Sequence, residues 1–252
     1  MHTTEIKTID QVITALDQII QDSIDKENCA GYFAALYRKV TIKVKEGIDQ
    51  NYFDDGPRME HLDVVFATRY IRAYEAYWND QPLTQSWQVA FDLTSQYWPI
   101  VLQHLLIGMN AHINLDLGIA AAEISEGENI DNLQDDFDKI NEILSSLVHE
   151  VDQDLAEIWP TFRIIVKALR KVDDYLVDFS MKLARDGAWK FAKQLADTPL
   201  SLKPEMIATR DQKVSQKASL VTRPGFLITI IFRWIRLGER GSIAKKIEDL
   251  KN

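Results

Sequence analysis

The chain is short of the residues from which small chemical motifs are built. It holds one cysteine, Cys29, which excludes an internal disulfide framework and a cysteine-rich zinc site. With no histidine near it in sequence, Cys29 reads as a core residue. Glycine is scarce, at ten residues, and no GxxxxGK, GxGxxG or GxSxG spacing occurs among them. A phosphate loop, a dinucleotide fingerprint and a nucleophile elbow are therefore all missing. No stretch reaches the roughly 18 uninterrupted apolar residues of a membrane span. The opening residues MHTTEIKTIDQ are polar and carry no signal-peptide core, which gives the expectation of a cytoplasmic protein. Strand-period alternation of useful length and internal repeats are absent as well.

What is present has helical period. Thr8-Ile9-Asp10-Gln11 has the form of a capping box, and Ile9, Val12, Ile13, Leu16, Ile19, Ile20 and Ile24 follow as one apolar stripe, predicting a helix over 8–25. A polar break at Asp25–Asn28 precedes a second helix over 29–49. FDDGP at 53–57 is a turn with Pro57 placed to open a third, over 58–78. Thr84 is the expected cap of a helix running toward Trp98-Pro99, where a kink or restart is expected. An apolar segment over 99–125 follows, then a loop at 127–132, a helix over 132–158, a boundary at Trp159-Pro160 and a long helix over 161–196. The expected fold is an all-α, single-domain bundle of about seven to nine helices, with residues 1–200 as its core and 201–252 as a basic helical tail.

Charge separates these two parts. Lys203 to Asn252 holds 11 Lys+Arg against 5 Asp+Glu, a net of +6, so the other 202 residues carry 18 against 33, a net of −15. An acidic body argues against nucleic acid as a partner, because phosphate contacts need clustered positive charge.

The candidate site lies in QHLLIGMNAHINLDLGIAAAE, 103–123. At about 100° per residue, His104, Gly108, His112 and Asp116 share one side, and His112 with Asp116 is an i, i+4 pair able to reach one point. Imidazole and carboxylate together are ordinary ligands for zinc, iron or manganese. Gly108 leaves room beside the histidines for a ligand or a neighbouring helix. Asn110 and Asn114 face elsewhere and are expected to serve backbone groups of adjacent helices. Further ligand candidates are His149 with Asp152 and Glu142, His61 with Asp63, and the Asp54-Asp55 turn. Spacing does not choose among them, although His149 points away from its helix's apolar stripe. Arg185 is a candidate to pair with Asp116 or to hold a substrate anion, and Arg69 and Arg72 are candidates of the same kind. The competing expectation is a buried polar network that fixes helix packing.

GYFAALYRKVTIKV, DDGPRMEHLDVVFATRYIRAY, IVLQHLLIGMNAHINLDLGIAAAE and LARDGAWKFA together resemble an uncharacterised domain-of-unknown-function family found mainly in bacteria. The resemblance covers nearly the whole chain and implies a helical single domain; it implies no activity. His112-x-x-x-Asp116 alone is similar to one ligand pair of the zinc-dependent phospholipase C and nuclease fold. That motif continues with histidines where this chain has Gly118, Ile119 and Ala120, so the trinuclear site does not carry over.

The tail adds a last feature. On a helix from Phe226 to Arg240, residues Thr229, Arg233, Arg236 and Arg240 form a narrow polar strip and large hydrophobics cover the rest. Such a helix suits a lipid headgroup layer, or it packs on the acidic body. Three functions follow as expectations. One is a divalent-metal hydrolase acting on a lipid or phosphoester, with His104, His112, Asp116 and His149 as metal ligands and Arg185 on the substrate. The second is a non-enzymatic helical binding protein with a structural polar network, its partner a small molecule or lipid. The third is a peripheral membrane protein anchored by 225–240.

Overall fold

The first three helices begin and end on local signals. The computed structural model describes residues 5–140, 142–144, 158 and 181–251. Helix α1 (Ile9–Asp25) opens at Thr8, whose Oγ1 accepts the Gln11 N–H at 3.3 Å. Gln11 Oε1 accepts the N–H of Lys7 at 2.7 Å, so the return bond of the capping box reaches one residue earlier than expected. Helix α2 (Ala30–Asp49) follows the polar break, and α3 (Gly56–Trp78) starts with Pro57 in its first turn and Asp55 accepting from the Arg58 N–H. All three end alike: Glu27, Asn51 and Asp80 take left-handed φ values of 47, 55 and 53°. The next N–H in each case returns to the carbonyl of Ser23, Gly47 or Ala76. These are Schellman stops made without glycine.

Helix α4 (Gln85–Asp92) and a 3-10 turn (Leu93–Ser95) are shorter than the predicted run toward Trp98. The backbone is extended at Gln96 and Ile100, on either side of the Trp98-Pro99 pair. The chain restarts as α5 (Val101–Ala111), passes through one π-helical turn (His112–Asp116) and continues as α6 (Leu117–Ile124). This rod is long and apolar enough to cross a membrane, yet 94% of its most apolar stretch is buried inside the protein. Hydrophobic clusters enclose it. Leu105 and Ile107 pack among side chains of α1 to α4, Leu117 and Ala121 beside Met59 and Phe137, and Leu115 and Ile119 beside Phe191, Leu195 and Val214.

A 3-10 turn (Ile130–Leu133) leads into helical residues 134–140 and 142–144. The rest of the helix predicted over 132–158, the Trp159-Pro160 boundary and the first part of the 161–196 helix lie outside the described residues, apart from Ile158, which is buried in the main cluster. Helix α7 (Met181–Ala196) packs against α6. The contact requires Gly118, because a Cβ there would sit 2.7 Å from Phe191 Cδ1 and 2.9 Å from the Ala188 carbonyl. Helices α8 (Lys203–Lys217), α9 (Ser219–Thr222), α10 (Phe226–Gly238) and α11 (Ile243–Lys251) complete the chain.

The C-terminal helices share the core with the rest. Ile247 and Leu250 of α11 and Phe232 and Ile235 of α10 are buried in the same cluster as Leu16 and Leu105. Carboxylates reinforce the assembly by capping helices other than their own. Asp211 accepts from the N–H groups of Gln85 and Ser86 at the start of α4, and Glu239 from that of Val101 at the start of α5. Asp136 does the same for Asp54 and Asp55 before α3, and Glu60 for Ile9. A negative group at a helix N-terminus satisfies orphan donors and meets the positive end of the dipole. Thr84, the predicted cap of α4, makes no side-chain cap bond. The protein is a single all-α domain, with no strand among the described residues.

Candidate functional site

The π turn places His112 and Asp116 at the middle of the buried rod. Its wider ring is closed by the Leu117 N–H donating to the His112 carbonyl five residues back. Such insertions into α-helices occur frequently at functional sites. His112 Nδ1 lies 3.4 Å from Asp116 Oδ2. The carboxylate is otherwise occupied: Arg69 Nε of α3 donates to Oδ1 at 2.8 Å, and Trp87 Nε1 of α4 donates to Oδ2 at 2.7 Å. Burial by itself would raise the Asp116 carboxyl. The Arg69 guanidinium, His112 and the indole N–H outweigh it and hold the group below the usual carboxylate range. Arg69, with its side chain 27% exposed, connects this buried anion to the surface.

His112 is enclosed by aromatic rings. Phe66 stacks on it face to face at 3.6 Å, and Tyr37 meets it edge-on at 4.5 Å. Phe33, Tyr70 and Trp87 lie within about 6 Å. Burial pushes the imidazole pKa down despite the pull of Asp116, so the ring is neutral. Asp116 as acceptor assigns its proton to Nδ1, and Nε2 is a buried nitrogen without a partner among the described residues. The Tyr70 hydroxyl and Oδ2 of Asp63 are likewise buried and without a partner among the described residues. Burial, with Glu60 nearby, pushes the Asp63 carboxyl up to about 8.

The space that Gly108 opens is filled by the protein itself. A Cβ at Gly108 would stand 2.5 Å from Phe33 Cγ and Cδ2, so the ring of α2 occupies the notch between His104 and His112. His104 meets Tyr32 edge-on at 5.6 Å. Its pKa is lowered to about 3 by burial and by the charges of Arg236 and Lys246. It borders a cavity of about 20 Å³ together with Cys29, Phe33, Tyr70 and Thr94, room for one water.

The other candidates are dispersed. Arg185 is buried on α7, where Nη2 donates to the Phe137 carbonyl and the guanidinium lies 4.4 Å from the Phe137 ring. Burial lowers its pKa to about 10. The partner of Asp116 is therefore Arg69, and Arg185 fastens α7 to residue 137. Arg72 and His61 are exposed. Exposed Glu142 accepts from the Tyr52 hydroxyl, and Asp54 pairs with Lys139. His149 and Asp152 lie outside the described residues. Asn110 donates to the Val214 carbonyl and Asn114 to Asn110 Oδ1, while Arg210 donates to the Asn114 carbonyl. Among the described residues no group of three or more His, Cys, Asp or Glu side chains is placed to hold a metal ion. Sequence reading missed Trp87, Phe66 and Tyr37, which sit on other helices with nothing in local spacing to link them to His112.

The second feature is on the surface. Helix α10 turns Phe232 and Ile235 inward, with Ile228 and Ile231 half-covered beside them, and leaves a second apolar face outside. Arg233 lies over the Trp98 ring at 5.3 Å, and Arg236 over Tyr97 at 5.1 Å.

A model of the family described as "Family of unknown function (DUF5995)" matches residues 9–224, which takes in α1 to α9 and stops just before α10. No curated protein and no solved structure matches the chain.

Proposed function

The chain belongs to the DUF5995 family, whose description assigns no activity, and we propose that it works by binding, with the His112–Asp116 network as a structural lock that holds three helices on the central rod. One observation carries this reading: Asp116, the carboxylate of the motif, spends both oxygens on Arg69 and Trp87. A carboxylate engaged in this way is a poor metal ligand, but it ties α3 and α4 to the π turn. Phe33 filling the notch at Gly108 supports the same reading.

The test is elemental analysis of the purified protein beside melting curves with and without a chelator, for the wild type and for Asp116→Ala. We expect no stoichiometric metal, no effect of chelator, and a loss of about 2–4 kcal/mol in the variant, because Arg69 and the Trp87 N–H lose their acceptor. Near-stoichiometric metal, with a melting temperature that falls on chelation, would overturn it.

A second reading keeps a metal hydrolase, and a different observation favours it. His112 presents a buried Nε2 with no partner among the described residues while Nδ1 faces a carboxylate, the arrangement by which proteins orient a metal-bound imidazole. Asp116 is then the orienting group and His112 the ligand. The same elemental analysis on His112→Ala decides between the two.

A further inference from the structure

Helix α10 is apolar on two faces, and among the described residues one of them is packed into the fold and the other is exposed. Phe226, Leu227, Ile230, Trp234 and Leu237 are 78, 54, 38, 70 and 67% exposed. At about 100° per residue these five fall within one arc of roughly 100°, opposite Ile228, Ile231, Phe232 and Ile235. Exposed Tyr97 and Trp98 stand beside the same helix, tied to it through Arg236 and Arg233. A contiguous exposed patch of this kind marks a site of contact with a partner.

The charges around the stripe say which partner. Helix α10 contains no acidic residue, and Arg223, Arg233 and Arg240 at its ends and edge are exposed. The nearest acidic residue in sequence, Glu239, has its carboxylate buried in ion pairs with Arg236 and Lys246. An isologous contact with a second copy would bring these arginines together across the two-fold axis, which like-charge repulsion opposes. An anionic surface is favoured by the same groups. Large apolar side chains with tryptophan at headgroup depth, flanked by arginines that reach phosphate, are what an in-plane membrane helix requires.

We propose that the outer face of α10 docks into the headgroup layer of an anionic phospholipid membrane. The helix lies in the plane of the bilayer and does not cross it. Thirteen residues span about 20 Å against a hydrocarbon core of about 30 Å. The bent pair Lys203–Thr222 and Phe226–Gly238 is not free to straighten into a span, because Val214 is buried and Asp211 caps α4. This proposal rests on the binding role given above and names its partner, but its residues are not those of the His112–Asp116 lock, so a metal found at His112 and a failure to bind vesicles are separate outcomes.

The experiment is co-sedimentation of the full chain with vesicles of phosphatidylcholine alone and of phosphatidylcholine mixed with phosphatidylserine, at low and high salt. Three proteins are compared: wild type, Phe226→Ser/Trp234→Ser and Arg233→Gln/Arg240→Gln. All four positions are exposed, and melting curves check that each variant folds. Expected are binding to the anionic vesicles that weakens with salt, its loss in the apolar variant, and at least about a tenfold loss of affinity in the arginine variant. No binding to either vesicle, or binding that the Phe226→Ser/Trp234→Ser change leaves intact, would overturn the proposal. So would a lipid-free dimer that the same change dissolves, which would assign the face to a second copy.

Discussion

At the scale of single residues, Asp63 is the most sharply testable group. It is buried on α3, one oxygen lacks a partner among the described residues, and burial together with Glu60 raises its carboxyl from the usual carboxylate range to about 8. The folded state therefore holds this proton more tightly than the unfolded one. Its contribution to stability is fully present below about pH 4 and is lost as pH rises toward 8. Asp63→Asn removes the titration. Its unfolding free energy should gain on the wild type steadily between about pH 4 and 8 and then level off, with a change across that window on the order of 5 kcal/mol. A difference that does not change with pH would refute this. The residue-level contrast with Asp116 is physical: both carboxylates are buried on or beside the central rod, but only Asp116 has a guanidinium and an indole N–H to offset the loss of water.

At the scale of elements, helix ends separate what is local from what is not. The starts of α1 and α3 follow Thr8 and the Asp55-Gly56-Pro57 turn, and their stops follow polar residues in left-handed conformation; all of these act within a few residues. The starts of α4 and α5 depend on Asp211 and Glu239, more than a hundred residues away in sequence. Glu239 also neutralises Lys246, and both side chains are almost fully buried. Glu239→Gln should cost about 2–4 kcal/mol, since it leaves Lys246 as an uncompensated buried charge. Denaturant unfolding would measure this, and a variant within about 0.5 kcal/mol of the wild type would show that the cap is dispensable.

At the scale of the whole molecule, the match to the family stops at residue 224, but the core does not. Phe232, Ile235, Ile247 and Leu250 beyond it are buried in the main cluster. At about 1.5–3 kcal/mol for each large side chain, their loss rivals the total stability of a typical domain. A chain ending at residue 224 should therefore lack a cooperative thermal transition by circular dichroism or calorimetry, and a truncated protein that melts like the full chain would disprove this. The acidic body and basic tail, distinct in composition, form one folded unit joined by Asp211, Glu239 and the α11 contact at Gly31.

The sequence by itself determined the all-α class, the first three helices and most of their ends, and the His112–Asp116 pair as the polar centre of an apolar rod. These follow from apolar spacing and short-range capping, which act over one or two turns. It did not determine where α4 stops, that the rod passes through a π turn at the motif, or that Phe33 fills the notch at Gly108. Nor did it tell Arg69 from Arg185 as the partner of Asp116. Those depend on which side chains meet across helices far apart in the chain, and nothing in local periodicity encodes such meetings. The same holds for α10. Its sequence is apolar nearly all round, and only the packing of Phe232 and Ile235 into the core decided which face remained outside.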